Sequence, residues 1–242
     1  MSEHESIESK EEQVFEVWDN SRRAKAVIIV FWIFVGSSIF ILVSTYAELG
    51  LLNKIAADEY IEDGAILASE DRLGLASLVH LIVFIASIVV FIQWFRRAYG
   101  NLERSGVPYV AHRETMTIWA WIIPIVFLYR PLQMMNEIWK ESQERIHTFD
   151  QLFVIRNIKP VVGVWWAIHI LSHIIGQFEF RQMMNEYPST AELISAAQFS
   201  LISSGVELFE ALMVILIVGQ ITKMEDKLAE EIVKSGGNLI EK

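Results

Sequence analysis

The sequence predicts an all-α fold: a polytopic membrane helix bundle of one domain, with four full transmembrane spans and a central proline-broken segment. Three observations carry this reading. Of the 242 residues, 53% are hydrophobic, and they come in long uncharged runs; a bilayer needs about 20 such residues per spanning helix. Charged residues gather at the ends of those runs, where lysine and arginine set orientation. The stretch 119–139, WAWIIPIVFLYRPLQMMNEIW, is too apolar for a loop but is interrupted by Pro124, Arg130 and Pro131.

Residues 1–21 are an acidic tail. Val14 and Trp18 in it have the spacing of a short amphipathic turn at the interface, the alternative being a disordered tail. Arg22, Arg23 and Lys25 then stand directly before the first run, 26–46. They predict a cytoplasmic N-terminus and a first helix that is retained, since a secretory leader would start with a short basic segment. The stretch 48–72 is acidic and poor in cations, as an external loop is, and Leu51, Leu52, Ile55 and Tyr60 suggest a short helix on that surface. The second run, 73–95, contains His80 and Gln93 and ends at Arg96 and Arg97; Gly100 and Ser105-Gly106-Val107-Pro108 mark the turn beyond it. The run 161–178 is the next uninterrupted one, and Thr190 is the expected N-cap of the last helix. The last run, 199–221, ends at Lys223 and Lys227. Residues 22–223 thus read as one transmembrane domain. Residues 224–242 read as an amphipathic cytoplasmic tail that Gly236-Gly237 stops.

Charge parity then constrains the centre. Cations place both termini inside, so the number of full crossings is even. The loop with Arg104 and Arg113 and the loop with Lys140, Arg145, Arg156 and Lys159 both read as internal. The segment 115–139 must begin and end on the same side. It is expected to be a re-entrant hairpin or a pair of short helices, with its break between Pro124 and Pro131 buried among the other helices. Two thin crossings, or one tilted crossing followed by a surface helix, are the alternatives.

Several of these segments carry a resemblance. Trp94, Arg97, Ala98, Asn101 and Leu102 resemble the W-x-x-R-A-x-x-N-L segment of a bacterial membrane family known as domain of unknown function 4328. Trp121 and Pro124, then Arg130-Pro131, then Glu137 and Trp139, are similar to that family's W-F-x-P … R-P … E-x-W pattern. Trp165-Trp166 resembles its tryptophan pair. The pattern has Asn where this chain has Phe127, so any polar role of that Asn is missing here. The resemblance implies a helical membrane protein, spans about 24–223, and implies no activity.

The candidate site is a set of ionisable residues inside the runs. His169 and His173 are four apart on one helix face, which Gln177 extends, and Glu207 and Glu210 are three apart on the last helix. Such groups cost on the order of 2.5–3.5 kcal/mol at mid-depth on insertion scales, so they face inward and find partners. The four are expected to meet. Three readings stay open: a structural hydrogen-bond network, a proton or cation pathway, and a metal site of two His and two Glu. His80 reads as a hydrogen-bonded core residue. Arg96, Arg97 and Arg130 read as topology signals that also suit anionic lipid. Trp18, Trp32, Trp94, Trp119, Trp121, Trp139, Trp165 and Trp166 read as an interfacial belt, and Met134-Met135 as apolar filler.

The sequence has no glycine-rich phosphate loop, no serine elbow and no cysteine at all. It points to no cofactor and no assigned metal. The net charge of −10 argues against nucleic acid as a partner. The expected partners are the lipid bilayer and either a second copy or another membrane protein. The leading expectation is a non-enzymatic inner-membrane protein working through helix packing. A small proton- or cation-linked transporter and a metal-dependent membrane enzyme are the alternatives.

Overall fold

The computed structural model describes residues 15–157, 159–184 and 188–241. A short strand β1 (Glu16–Trp18) leads into α1 (Ser21–Ala56) and α2 (Ala65–Arg104). Three helices follow: the short apolar α3 (Met116–Ile122) and α4 (Pro124–Phe127), and the amphipathic α5 (Arg130–Phe149). Then come α6 (Lys159–Met183), α7 (Thr190–Lys234) and a last strand β2 (Asn238–Ile240). Four helices, α1, α2, α6 and α7, are long and apolar enough to cross a membrane. At 1.5 Å per residue, the 45 residues of α7 extend about twice the roughly 30 Å of a hydrocarbon core. The long helices therefore continue beyond the membrane into water.

α1 lies between α2 and α7, and α6 lies on the other flank of α7. One end of the bundle, here termed basal, gathers β1, the end of α2, the end of α5 and the end of α7. Asn101 of α2 bonds the Trp18 backbone there, and Lys227 of α7 reaches Asp150 at 2.8 Å. The far end holds the α1–α2 connection, where Arg72 donates to the Ser44 carbonyl.

The two halves pack differently. Toward the far end, α1 and α2 bury mostly small side chains, Ser37, Ser38, Ser44 and Thr45 on α1 and Ser69, Ala76 and Ser87 on α2, with Phe34 packed on His80 and Phe84. Small residues let membrane helices approach closely where lipid tails remove the hydrophobic drive. In the basal half the core is large and aromatic: Trp94, Phe95, Tyr99, Met134, Met135, Ile138 and Ile221. Against water, each such buried side chain is worth about 1.5–3 kcal/mol.

The central segment is a pair of short helices, α3 and α4, that leads into α5. Proline forces its preceding residue out of the helical region, so Ile123 is extended at φ −81°, ψ 116° and α3 stops at Ile122. Pro131 falls in the first turn of α5, where its missing N–H costs nothing. Both ends of the segment stand at the basal end. Glu114 is clamped by Arg96 at 2.9 Å and Arg104 at 2.6 Å, and Arg145 donates to the Ser105 carbonyl at 2.6 Å. Gly100 makes room for the first clamp, because a Cβ there would strike Arg104 and Glu114.

Several expectations need correcting. The break is not enclosed by helices: Ile122, Ile123, Pro124, Ile125, Leu128 and Tyr129 are exposed on its outer side. Only its inner side is packed, by Val126, Phe127 and Pro131. What makes the open break tolerable is the Trp166 indole N–H, which donates to the Leu128 carbonyl at 3.0 Å. No separate surface helix follows α1, because Leu51, Leu52 and Ile55 are its last turns and Tyr60 lies beyond it. The cap of α7 is Ser189, one residue before Thr190, in a reciprocal capping box with Glu192. α2 runs through Gly100 and turns at Gly106, whose φ of +81° places it over the Phe15 ring.

β1 and β2 pair in parallel, with Val17 opposite Leu239, so the two ends of the described chain are tied together. Val14, the partner of Trp18 in the expected turn, lies outside the described residues. α7 runs on past 223 without a break.

Candidate intramembrane polar site

His169 sits in the second half of the apolar part of α6, and its Nδ1 lies 2.6 Å from Glu210 Oε1 of α7. The other ring nitrogen, Nε2, is buried with no hydrogen-bond partner. Aromatic rings surround the imidazole. Trp165 stacks on it at 5.9 Å, and Trp166, Trp121 and Phe127 stand at 5.1, 5.6 and 5.5 Å. Trp121 and Phe127 come from α3 and α4, so the proline-broken segment supplies half of this cage.

His173 is edge-on to both His169 and Phe127, at 4.7 Å in each case. Phe127, at the position where the resemblance leads one to expect Asn, packs its ring against His169 and His173. Gln177 is exposed one turn further on.

Glu207 does not join this group. It turns to α2, where His80 Nε2 lies 3.4 Å from its Oε2, and the Ser37 hydroxyl of α1 stands 3.1 Å from His80 Nδ1. Helix geometry separates the two carboxylates: residues three apart on α7 point about 60° apart, one toward α6 and one toward α2. Of the expected four, His169, His173 and Glu210 therefore stay together, and Glu207 turns to His80 on a neighbouring face of α7. Glu207 is also the more open of the two, its side chain 36% exposed. Among the described residues, no three His, Asp or Glu side chains are grouped to hold a metal ion.

The tryptophans do not form a belt. Trp94, Trp139, Trp165 and Trp166 are buried, and Trp32 and Trp119 alone among the spans' tryptophans are largely exposed. Trp94, Trp121, Trp165 and Trp166 instead form one inward cluster with Phe91 and Phe95. Sequence gives the depth of a tryptophan along a helix, and only packing decides which way it faces.

The positions that carry the family resemblance serve the basal architecture. Asn101 donates to the Trp18 carbonyl at 2.8 Å and accepts from its N–H at 3.2 Å. Arg97 and Arg104 lie over the Trp18 ring at 4.6 and 3.7 Å. Arg130 reaches His112 at 2.7 Å and lies over the Tyr129 ring. Trp139 donates to the Arg156 carbonyl at 2.8 Å, where Gln143 also binds. Pro124 and Pro131 set the break, and Trp166 closes it. Burial and then the Arg130 charge hold the His112 imidazole below its ordinary value. Burial alone pushes the Glu114 carboxyl up, but Arg104 and Arg96 outweigh it and leave it below the usual carboxylate range.

Residues 57–223 match the family model described as Domain of unknown function (DUF4328). The chain belongs to that family. No curated protein and no solved structure matches it at significance. The family resemblance and the four apolar helices agree on a multi-pass helical membrane protein.

Two groups have roles the sequence did not show: Glu137, named only within the family pattern, and Glu225. Glu137 accepts from Tyr99 at 2.7 Å and from the Ala111 N–H at 2.6 Å, fixing the loop after α2. Glu225 accepts from Asn20 at 3.0 Å and is buried. A signal for Glu225 was present: it follows Val214, Val218 and Ile221 at helical spacing, so it falls on the buried stripe of α7.

Proposed function

We propose that this chain is a non-enzymatic inner-membrane protein that assembles with a second copy or another membrane protein. In this reading the basal end, with both termini, faces the cytoplasm, where Arg22, Arg23, Lys25, Arg96, Arg97 and Lys223 cluster. One observation carries the proposal: Glu207 is a carboxylate inside an apolar span, with over a third of its side chain uncovered and one histidine beside it at 3.4 Å. A carboxylate facing lipid is costly, and a partner helix would cover it. The neighbouring face of α2 supports this, since Leu78, Leu81, Ile82, Ile85 and Val89 are exposed there.

The natural chain has no cysteine, so a single introduced cysteine is diagnostic. Ile82→Cys in intact membranes is expected to give a cross-linked species on oxidation, with weaker cross-linking when Glu207→Leu is added. A monomer under all oxidising conditions, with no partner protein attached, would overturn the reading. Sidedness is read the same way: Arg113→Cys and Lys140→Cys are expected to react from the cytoplasmic side and Glu59→Cys from the other.

A second reading, proton-linked transport, is favoured by the His169–Glu210 pair and by the unpartnered Nε2 beside His173. Glu210→Gln with unchanged folding yield and abolished proton flux in liposomes would favour this reading over the first.

A further inference from the structure

The basal end contains a cavity of about 410 Å³ where β1, the start of α1 and the last turns of α7 meet. Four carboxylates (Asp19, Glu225, Asp226 and Glu230), the amides of Asn20 and Asn101, and one cation, Lys234, supply most of its polar lining, and Val17, Ala229, Val233 and Leu239 its apolar walls. We infer that this cavity binds a small organic cation: an ammonium or guanidinium head on a short aliphatic body.

The argument starts with Glu225. Only 8% of the residue is exposed, and its hydrogen bonds come from the neutral amides of Asn20 at 3.0 and 3.2 Å and Asn101 at 3.5 Å. Among the described residues, no lysine, arginine or histidine forms an ion pair with it. A buried carboxylate without a cation is expensive; it takes up either a proton or a positive ligand. The nearby cations answer the cavity's other carboxylates and leave Glu225 to the amides. Lys234 is bound to Glu230 at 2.7 Å and Glu231 at 3.1 Å, Arg22 and Arg23 act on Asp19, and Lys25 acts on Asp226.

Asn20 is a second, independent observation. It is 4% exposed and lines the cavity. Its Nδ2 faces three acceptors, the Trp94 carbonyl and both Glu225 oxygens. That fixes the orientation of the amide and leaves Oδ1 buried without a donor. A ligand N–H placed at this wall meets the Asn20 oxygen and the Glu225 carboxylate together. A hard metal ion would need several converging oxygens, and among the described residues no three His, Asp or Glu side chains are so grouped. The apolar walls suit a carbon body, and the volume is that of a small-molecule site.

The test uses the full chain in detergent-free nanodiscs, with n-butylammonium and agmatine as probes and n-butanol as the neutral control, read by saturation-transfer NMR and calorimetry. Saturable binding of a cation probe, with butanol at least about tenfold weaker, is the expected result. Glu225→Gln, which keeps the hydrogen bonds and removes the charge, is expected to abolish the preference. Ala229→Phe fills the cavity, leaves every carboxylate in place, and is expected to abolish binding of both cations. It serves as the deciding variant should Glu225→Gln fail to fold. Equal binding of butanol and butylammonium, binding unchanged in Ala229→Phe, or no binding of either cation would overturn the inference.

Discussion

Glu225 and Glu207 lie on the same helix and meet opposite fates. Glu225 is sealed at the basal end among Asn20, Asn101 and the Trp94 backbone. Glu207, in the apolar half, has His80 beside it and an open outer side. The basal half carries a dense polar web over an aromatic core, whereas the far half is held by small residues and leaves its apolar faces outward. The contrast shows where the water-driven part of folding operates.

Substitutions can break this contrast, and the largest effect is expected at Trp166. Trp166→Ala removes a side chain that is 5% exposed and strips the Leu128 carbonyl of its donor. A loss of about 3–5 kcal/mol in denaturant unfolding is expected, against almost none for Trp119→Ala at 52% exposure. Equal effects would restore the belt reading.

Asn101→Ala is next. It removes both bonds to the Trp18 backbone and is expected to cost about 2–3 kcal/mol, with earlier proteolysis of the segment preceding α1. Glu210→Gln, in the membrane half, is expected to cost about 1 kcal/mol, since an amide still meets His169. If Glu210→Gln exceeds Asn101→Ala, the membrane half rather than the basal web is what holds the bundle.

The smallest expected effect is that of pH. Both the His112 and Glu114 values are depressed on folding. Their contributions are present above the ordinary values of 6.5 and 4.5 and are lost as pH falls through the lower folded values. Thermal stability is expected to decline in two shallow steps below these points. His112→Gln removes the upper step and Glu114→Gln the lower one.

Part of the molecule was legible in the sequence because its physics is one-dimensional. A run such as 73–95 has to be a helix in lipid, Pro124 has to break one, and cations at run ends have to stay near water. Facing was not legible. Trp94 and Trp119 look alike in sequence, yet one is in the core and the other faces outward, because rotation about a helix axis depends on neighbours. Glu225 was partly legible, since it interrupts an apolar stripe at core spacing, but Asn20 lies 205 residues away.

The sequence by itself therefore determined an all-α membrane bundle, its four spans and the family to which it belongs. Hydropathy, proline and local charge act along the chain, so reading the chain is enough to see them. Only the tertiary structure decided that Glu207 and Glu210 turn to different neighbours of α7, that β1 and β2 join the two ends of the described chain, and that a cavity lined by carboxylates and apolar walls lies beside them. Those features depend on which helix faces lie together, and that is set by side chains far apart in sequence.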